Sequence, residues 1–204
     1  MDLAAPTVDP VIGTAGPPLD PATWGQASGG AKEERRQAEI AVNPVQRFDR
    51  PLLFVDVDGV ISLFGFPPDR RPAGSWLNVD GIPHLISATA AEHLHRLGEL
   101  FELVWCTGWE EKADEHLTHL LHLPVAPPFL TFSAPPGSAH WKLDTIQAHA
   151  GRRPLAWIDD TFDESCHAWA AARGVPTLLV ATEAAVGMQL THVVALERWA
   201  RALG

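Results

Sequence analysis

Cations, cysteines and long apolar runs are all scarce in this chain. Fifteen lysines and arginines face twenty-five aspartates and glutamates among 204 residues, a formal charge of −10 at pH 7. Such a balance opposes broad electrostatic attachment to nucleic acid or to an anionic membrane surface, so no extended nucleic-acid-binding patch is expected. Only two cysteines occur, Cys106 and Cys166, each in apolar company, which reads as buried reduced thiols rather than a disulfide framework. No stretch reaches the ~18 consecutive apolar residues of a membrane span, and Met1 to Asp20 lacks a basic segment followed by an apolar one. These absences predict a soluble, cytoplasmic protein with no membrane partner.

Proline and glycine are plentiful but unevenly placed. Gly13, Gly16, Pro17, Pro18, Pro21, Gly29 and Gly30 crowd the first 30 residues and would interrupt any regular element. Residues 1–46 are read as a disordered or linker segment with room for a short surface helix at Ala31–Ile40, and residues 47–204 as one domain.

From Pro51 onward, short apolar runs alternate with stretches of helical period. The runs are Leu52–Val57, Phe101–Cys106, Leu155–Ile158 and Thr177–Ala181, with a weaker one at Leu123–Ala126. Helices are expected at about 87–98, 110–122, 138–150, 162–173 and 189–203. Runs without polar alternation suit parallel strands covered on both faces, so the fold class is α/β, a doubly wound, mainly parallel, Rossmann-like sheet. Residues 61–86 break the alternation with aromatics and turn residues, and read as a hairpin or flap inserted after the first strand. Hung over the strand end, it makes Arg70, Arg71 and Trp76 candidate substrate contacts, against the plainer reading of solvated arginines and a tryptophan packed under the flap.

Leu52–Val57 contains the first of two aspartates two residues apart, followed by glycine: Asp56-Val57-Asp58-Gly59. Residues i and i+2 of a strand project to the same side, and open α/β sheets bind ligands outside their carboxyl edge. The other runs end in polar signals as well. Phe101–Cys106 leads into Thr107-Gly108-Trp109-Glu110; Lys142 precedes the next run; and Leu155–Ile158 leads into Asp159-Asp160, with Glu164 just beyond. Thr107-Gly108-Trp109-Glu110 and Thr161-Phe162-Asp163-Glu164 also have the form of helix capping boxes, a rival reading for Thr107 and Glu164. Trp109 would stand at the pocket, to stack on a base or merely to pack. His116, His119 and His122 recur at helical spacing, but no set completes a four-ligand zinc site.

The order Asp-x-Asp-Gly, Thr, Lys, Asp-Asp, each at a strand end, resembles the four motifs of the haloacid dehalogenase (HAD) superfamily of phosphohydrolases. Within it, the Cys-Thr-Gly-Trp-Glu and Trp-Ile-Asp-Asp runs and the small insert are most similar to the HAD domain of Swiss Army Knife RNA repair proteins. That branch often carries Asn after its Thr-Gly-Trp, where this chain has Ala113-Asp114. The resemblance implies a Mg²⁺-dependent phosphatase acting on phosphate monoesters, small or at nucleic-acid (RNA) ends, through an aspartyl-phosphate. It makes Asp56 the nucleophile and Asp58 the proton-transfer group, with Thr107, Gly108 and Lys142 on the phosphate. Asp56, Asp58 through its backbone carbonyl, and Asp160 in preference to Asp159 would hold the metal, with Glu164 and Trp109 as weaker candidates. Other classes keep the same acids: a metal-dependent nuclease, a noncatalytic binding module, or a signalling phospho-acceptor domain. In the last, the acceptor Asp follows a later strand and the acidic pair ends the first, the reverse of the order here.

Overall fold

The computed structural model describes residues 50–133 and 139–204. The linker and helix expected within residues 1–46 lie outside the described residues. Four parallel strands form the central sheet: β1 (Leu52–Val55), β5 (Glu102–Trp105), β6 (Leu155–Asp159) and β7 (Thr177–Ala181), in the order β5-β1-β6-β7. The chain leaves β1 for one neighbour and later returns on its other side, which makes the carboxyl end of β1 a topological switch point.

Register aligns the strand ends. Val55 pairs with both Trp105 and Ile158, so residues 56, 106 and 159 begin one common edge. All four β1 residues are fully buried, and they sort by alternation into two cores. Leu53 and Val55 join the side that holds Leu94 and Leu97 of α1 (Ala90–Gly98), Ala113 of α2 (Glu111–Ala113), Leu117, and Val193 and Leu196 of α5 (Leu190–Arg201). Leu52 and Phe54 join Ile146 and Ala150 of α3 (Leu143–Ala150) and Cys166 of α4 (Glu164–Ala172). Each Leu, Val or Phe so buried contributes about 1.5–3 kcal/mol, which anchors β1 and holds the aspartates that follow it. Both cysteines are buried and unbridged, as their apolar context implied. Among the described residues no helix is long and apolar enough to cross a membrane.

The insert after β1 is a three-stranded antiparallel sheet rather than a single hairpin: β2 (Ser62–Leu63), β3 (Gly74–Val79) and β4 (Ile82–Ser87), in the order β2-β4-β3. It begins in a tight turn in which the Val57 carbonyl accepts from the amides of Val60, Ile61 and Ser62. β3 and β4 are joined at Asp80-Gly81, both with positive φ (52° and 85°), the backbone that a two-residue hairpin with right-handed strand twist requires.

Three expected elements are corrected. Leu123–Ala126 is not a strand: Pro124, Pro127 and Pro128 lack the amides a ladder needs, and only an isolated bridge from Trp105 to Phe129 forms beyond them. The first helix starts at Ala90 because residues up to Ser87 complete β4. The helix expected at 110–122 begins at Glu111 and opens into a π-helical turn over Asp114–Thr118, where the Thr118 hydroxyl donates to the Asp114 carboxylate at 2.7 Å.

Candidate active site

Asp56 leaves the sheet immediately after β1, its amide still donating to the Ile158 carbonyl of β6. Its side chain is buried, with Oδ1 accepting from the Val57 amide at 2.8 Å and Oδ2 lying 3.0 Å from Lys142 Nζ. Lys142 arrives at the end of a 3-10 turn, Ala139–Lys142, that leads directly into α3. Its ammonium, also buried, donates at 2.7 Å to Oδ2 of Asp159, which accepts from the Trp157 indole as well, at 3.1 Å. The other oxygen of Asp159 accepts from the Thr161 amide. Lys142 is therefore shared by two carboxylates from neighbouring strands, and Asp159 is fixed at both oxygens.

Burial drives the electrostatics of this group. The pKa of Asp56 is raised to about 7, chiefly because burial takes its carboxylate out of water; Lys142 pulls it down and the nearby Asp159 charge pushes it up. For Lys142, burial acts to lower the pKa, but the charges of Asp56, Cys106 and Asp159 outweigh it and hold the ammonium above its ordinary value. Half-buried Asp160 is likewise raised, chiefly by desolvation. One cation thus faces three carboxylates, a site still short of positive charge.

Asp56, Asp159 and Asp160 bring ligand oxygens within 4.8 Å of one another, and among the described residues no other such acidic, histidine or cysteine group forms. An all-oxygen donor set of this charge fits a hard divalent cation. Gly59 is what lets Asp160 enter. Its φ is +74°, and a Cβ there would overlap the Asp160 carboxylate, so both backbone and space demand glycine after the aspartate pair. The Gly59 carbonyl is fixed in turn by the buried Thr182 hydroxyl at 2.9 Å.

Asp58 differs from Asp56 in every respect except its nearness. Its side chain is 48% exposed, and its carboxylate accepts from the Trp109 indole N–H at 2.9 Å, with His84 Nδ1 at 3.5 Å from the other oxygen. Thr107 is buried one residue past Cys106, whose amide donates to the Val55 carbonyl, so Thr107 follows β5 at the same edge at which Asp56 follows β1. Gly108 is exposed at the mouth.

Neither capping box forms. Glu110 has a φ of 50° and turns its carboxylate to the Phe132 amide at 2.8 Å instead of back to Thr107, whose hydroxyl accepts from the Trp109 amide. At α4, Asp163 is the cap, accepting from the amides of Ser165 and Cys166, while Thr161 serves Asp159 and Asp160. Glu164 is exposed in the first turn of α4, outside the three-carboxylate group, and Arg70 and Arg71 are exposed on the insert. Sequence reasoning passed over His84, Ser62 and the Trp157 indole, because their reach to the acids depends on insert register and strand pairing that no local pattern carries.

Residues 52–193, well over half of the chain, match the model of a family described as the HAD domain in Swiss Army Knife RNA repair proteins. The matched span contains every residue of the arrangement above. No curated protein matches the chain.

Proposed function

Because this chain belongs to the family of HAD domains in Swiss Army Knife RNA repair proteins, and so is a hydrolase domain of the HAD type, we propose that it is a phosphatase that cleaves phosphate monoesters, including those at RNA ends, through an aspartyl-phosphate on Asp56. The observation that carries this reading is the buried contact of Lys142 with Asp56 at 3.0 Å and with Asp159 at 2.7 Å, beside the Asp160 carboxylate. A phosphate monoester is anionic, and its hydrolysis needs a nucleophile, neutralised oxygens and a protonated leaving group.

In the first half-reaction an Asp56 oxygen bonds to phosphorus while the bond to the leaving oxygen breaks, and Asp58 gives that oxygen its proton. In the second, the Asp58 carboxylate takes a proton from water as the water attacks phosphorus, and the bond to Asp56 breaks to release inorganic phosphate. Lys142 pulls the pKa of Asp56 down against the burial that raises it, favouring the anionic nucleophile, and offers charge to the phosphoryl oxygens, with the Thr107 hydroxyl and the Gly108 amide as further donors. Asp56 and Asp160, with the backbone carbonyl of Asp58, would hold the cation; Asp159 lies within reach but is committed to Lys142, Trp157 and Thr161. Bound there, Mg²⁺ supplies the positive charge that four acids and a dianionic ester otherwise lack.

The decisive assay compares 5′- and 3′-phosphorylated oligoribonucleotides with sugar phosphates and nucleotides in Mg²⁺, with Asp56→Asn as control. Phosphate release from an RNA end, lost in Asp56→Asn, is expected. Internal cleavage that survives Asp56→Asn identifies a nuclease instead, and release from small esters alone removes the RNA end from the reading.

A further inference from the structure

Asp58 is half exposed yet held from two sides by residues outside the proposed catalytic and metal-binding set. Trp109, from the loop after β5, donates its indole N–H to Asp58 Oδ2 at 2.9 Å. His84, from β4 of the insert, places Nδ1 3.5 Å from Asp58 Oδ1 and 3.0 Å from the hydroxyl of buried Ser62 on β2. The two rings pack edge to face, with centroids 4.5 Å apart and planes at 66°. Each oxygen of the carboxylate thus has its own neighbour, and the neighbours support one another. Both ends of the arrangement are anchored: His84 is paired with Leu77 across β3 and β4, and the Trp109 amide donates to the Thr107 hydroxyl.

We propose that Trp109 and His84, with Ser62 behind His84, are positioning residues that hold the Asp58 carboxylate for proton transfer to the leaving oxygen. This rests on the phosphatase reading for its chemistry, though not for the clamp itself. The clamp would couple the insert to catalysis. Two of its three members lie on insert strands, so a shift of β2 and β4 relative to the central sheet moves the support of Asp58 and leaves the buried Asp56 in place. Half-exposed and unheld, an aspartate side chain samples rotamers that point into solvent, and proton transfer demands heavy-atom approach within hydrogen-bond reach.

The test uses the Mg²⁺-loaded full chain and two esters, an alkyl phosphate, whose alkoxide must be protonated as it leaves, and 4-nitrophenyl phosphate, whose phenolate need not be. kcat/KM is the quantity to read, because it reports phosphoryl transfer to Asp56 and not the later hydrolysis. His84→Ala and Trp109→Phe are each expected to lower kcat/KM about tenfold on the alkyl ester and less than about twofold on the nitrophenyl ester, while His84→Asn, which keeps a donor near the Nδ1 position, recovers most of the loss. Equal losses on both esters, or none on either, overturn the proposal while leaving the phosphatase reading intact. A second readout needs no turnover: the indole proton of Trp109, identified in the NMR spectrum by its disappearance in Trp109→Phe, is expected to move upfield in Asp58→Asn and to shift in His84→Ala. An unmoved resonance overturns the clamp. Wild-type protein inert toward both esters and toward the phosphorylated oligoribonucleotides removes the phosphatase reading, and the indole resonance then decides the clamp alone.

Discussion

The carboxyl edge of the central sheet and the insert that follows β1 are built on opposite principles. At the edge, Asp56, Lys142 and Asp159 are buried, mutually bonded and fixed by strands packed on both faces. In the insert, Trp76 and Ile82 are more than half exposed, Arg70 and Arg71 are in solvent, and Asp80 at the β3–β4 turn reaches the rest of the domain through an exposed ion pair with Lys112. The first region concentrates charge where water cannot screen it, so each residue there strongly conditions the others. The second presents surface whose individual contacts are weak. Asp58 lies between them, its backbone in the first region and its side chain held partly by the second.

The comparison breaks most sharply at Asp56. Asp56→Asn is expected to lower phosphatase turnover by at least about 10³-fold, since it removes the proposed nucleophile. The same substitution separates function from stability. Because the folded pKa of Asp56 is raised to about 7 above its ordinary 3.8, the folded state binds more protons than the unfolded state across that window. Asp56 therefore costs no stability below the ordinary value, and in metal-free protein its contribution turns increasingly unfavourable as pH rises from about 4 to about 7. Melting in chelator should show the Tm of wild type falling relative to that of Asp56→Asn over that interval, with Mg²⁺ opposing the relative fall. His93, His149 and His192, whose pKa values burial lowers, push Tm the other way in both proteins, so a difference between wild type and Asp56→Asn that stays constant over the interval would show that the carboxyl group is not strained by its burial.

Lys142→Ala tests the same region from its cationic side. It leaves Asp56 and Asp159 buried without their counter-charge, and breaking a buried pair by removing one partner costs about 3–5 kcal/mol. Turnover should fall about 10²–10³-fold in step with the lost electrostatic support. Urea melts and steady-state assays check the two losses separately, and near-wild-type stability would mean that water reaches these carboxylates more freely than their burial indicates. Gly59→Ala is expected to do less damage overall but more to the metal. A side chain at φ +74° is strained, and its Cβ displaces the Asp160 carboxylate, so Mg²⁺ affinity measured by calorimetry should weaken about tenfold or more, while Lys142 and Asp56 remain paired.

The two regions were also unequally legible. Strands covered on both faces leave continuous apolar runs, and their carboxyl ends announce themselves by the first polar residues. That is why Asp56, Thr107 and Asp159-Asp160 could be assigned to one edge before any coordinates, and why Lys142 could be placed before the third strand. The turn residues and aromatics of residues 61–86 likewise marked a hairpin or flap, though not its third strand. What periodicity could not carry was anything decided by partners distant in sequence. His84 reaches Asp58 through the register of β3 on β4, Glu110 abandons a capping box because the Phe132 amide is near, and Asp163 takes a cap that the pattern gave to Thr161. A run of prolines defeated the expected strand at Leu123–Ala126, where hydrophobicity argued for a ladder that missing amides forbid.

The insert gives the smallest expected effect and the finest test of the comparison. Arg70 closes a short 3-10 turn at Pro68–Arg70 and Arg71 follows it, both exposed and well away from the buried acids in character if not in sequence. An exposed guanidinium meets a phosphorylated substrate through solvent, where screening limits what one charge contributes. Arg70→Ala or Arg71→Ala should therefore raise KM about two- to fivefold with kcat nearly unchanged, the mark of uniform binding lost without any loss special to the transition state. Raising the salt concentration should shrink the difference between variant and wild type, because screening removes from the wild type what the substitution removes from the variant. A kcat effect that exceeds the KM effect would place an insert arginine among the groups that act on the reacting phosphorus, and the division between a buried edge that does chemistry and an exposed insert that gathers substrate would no longer hold.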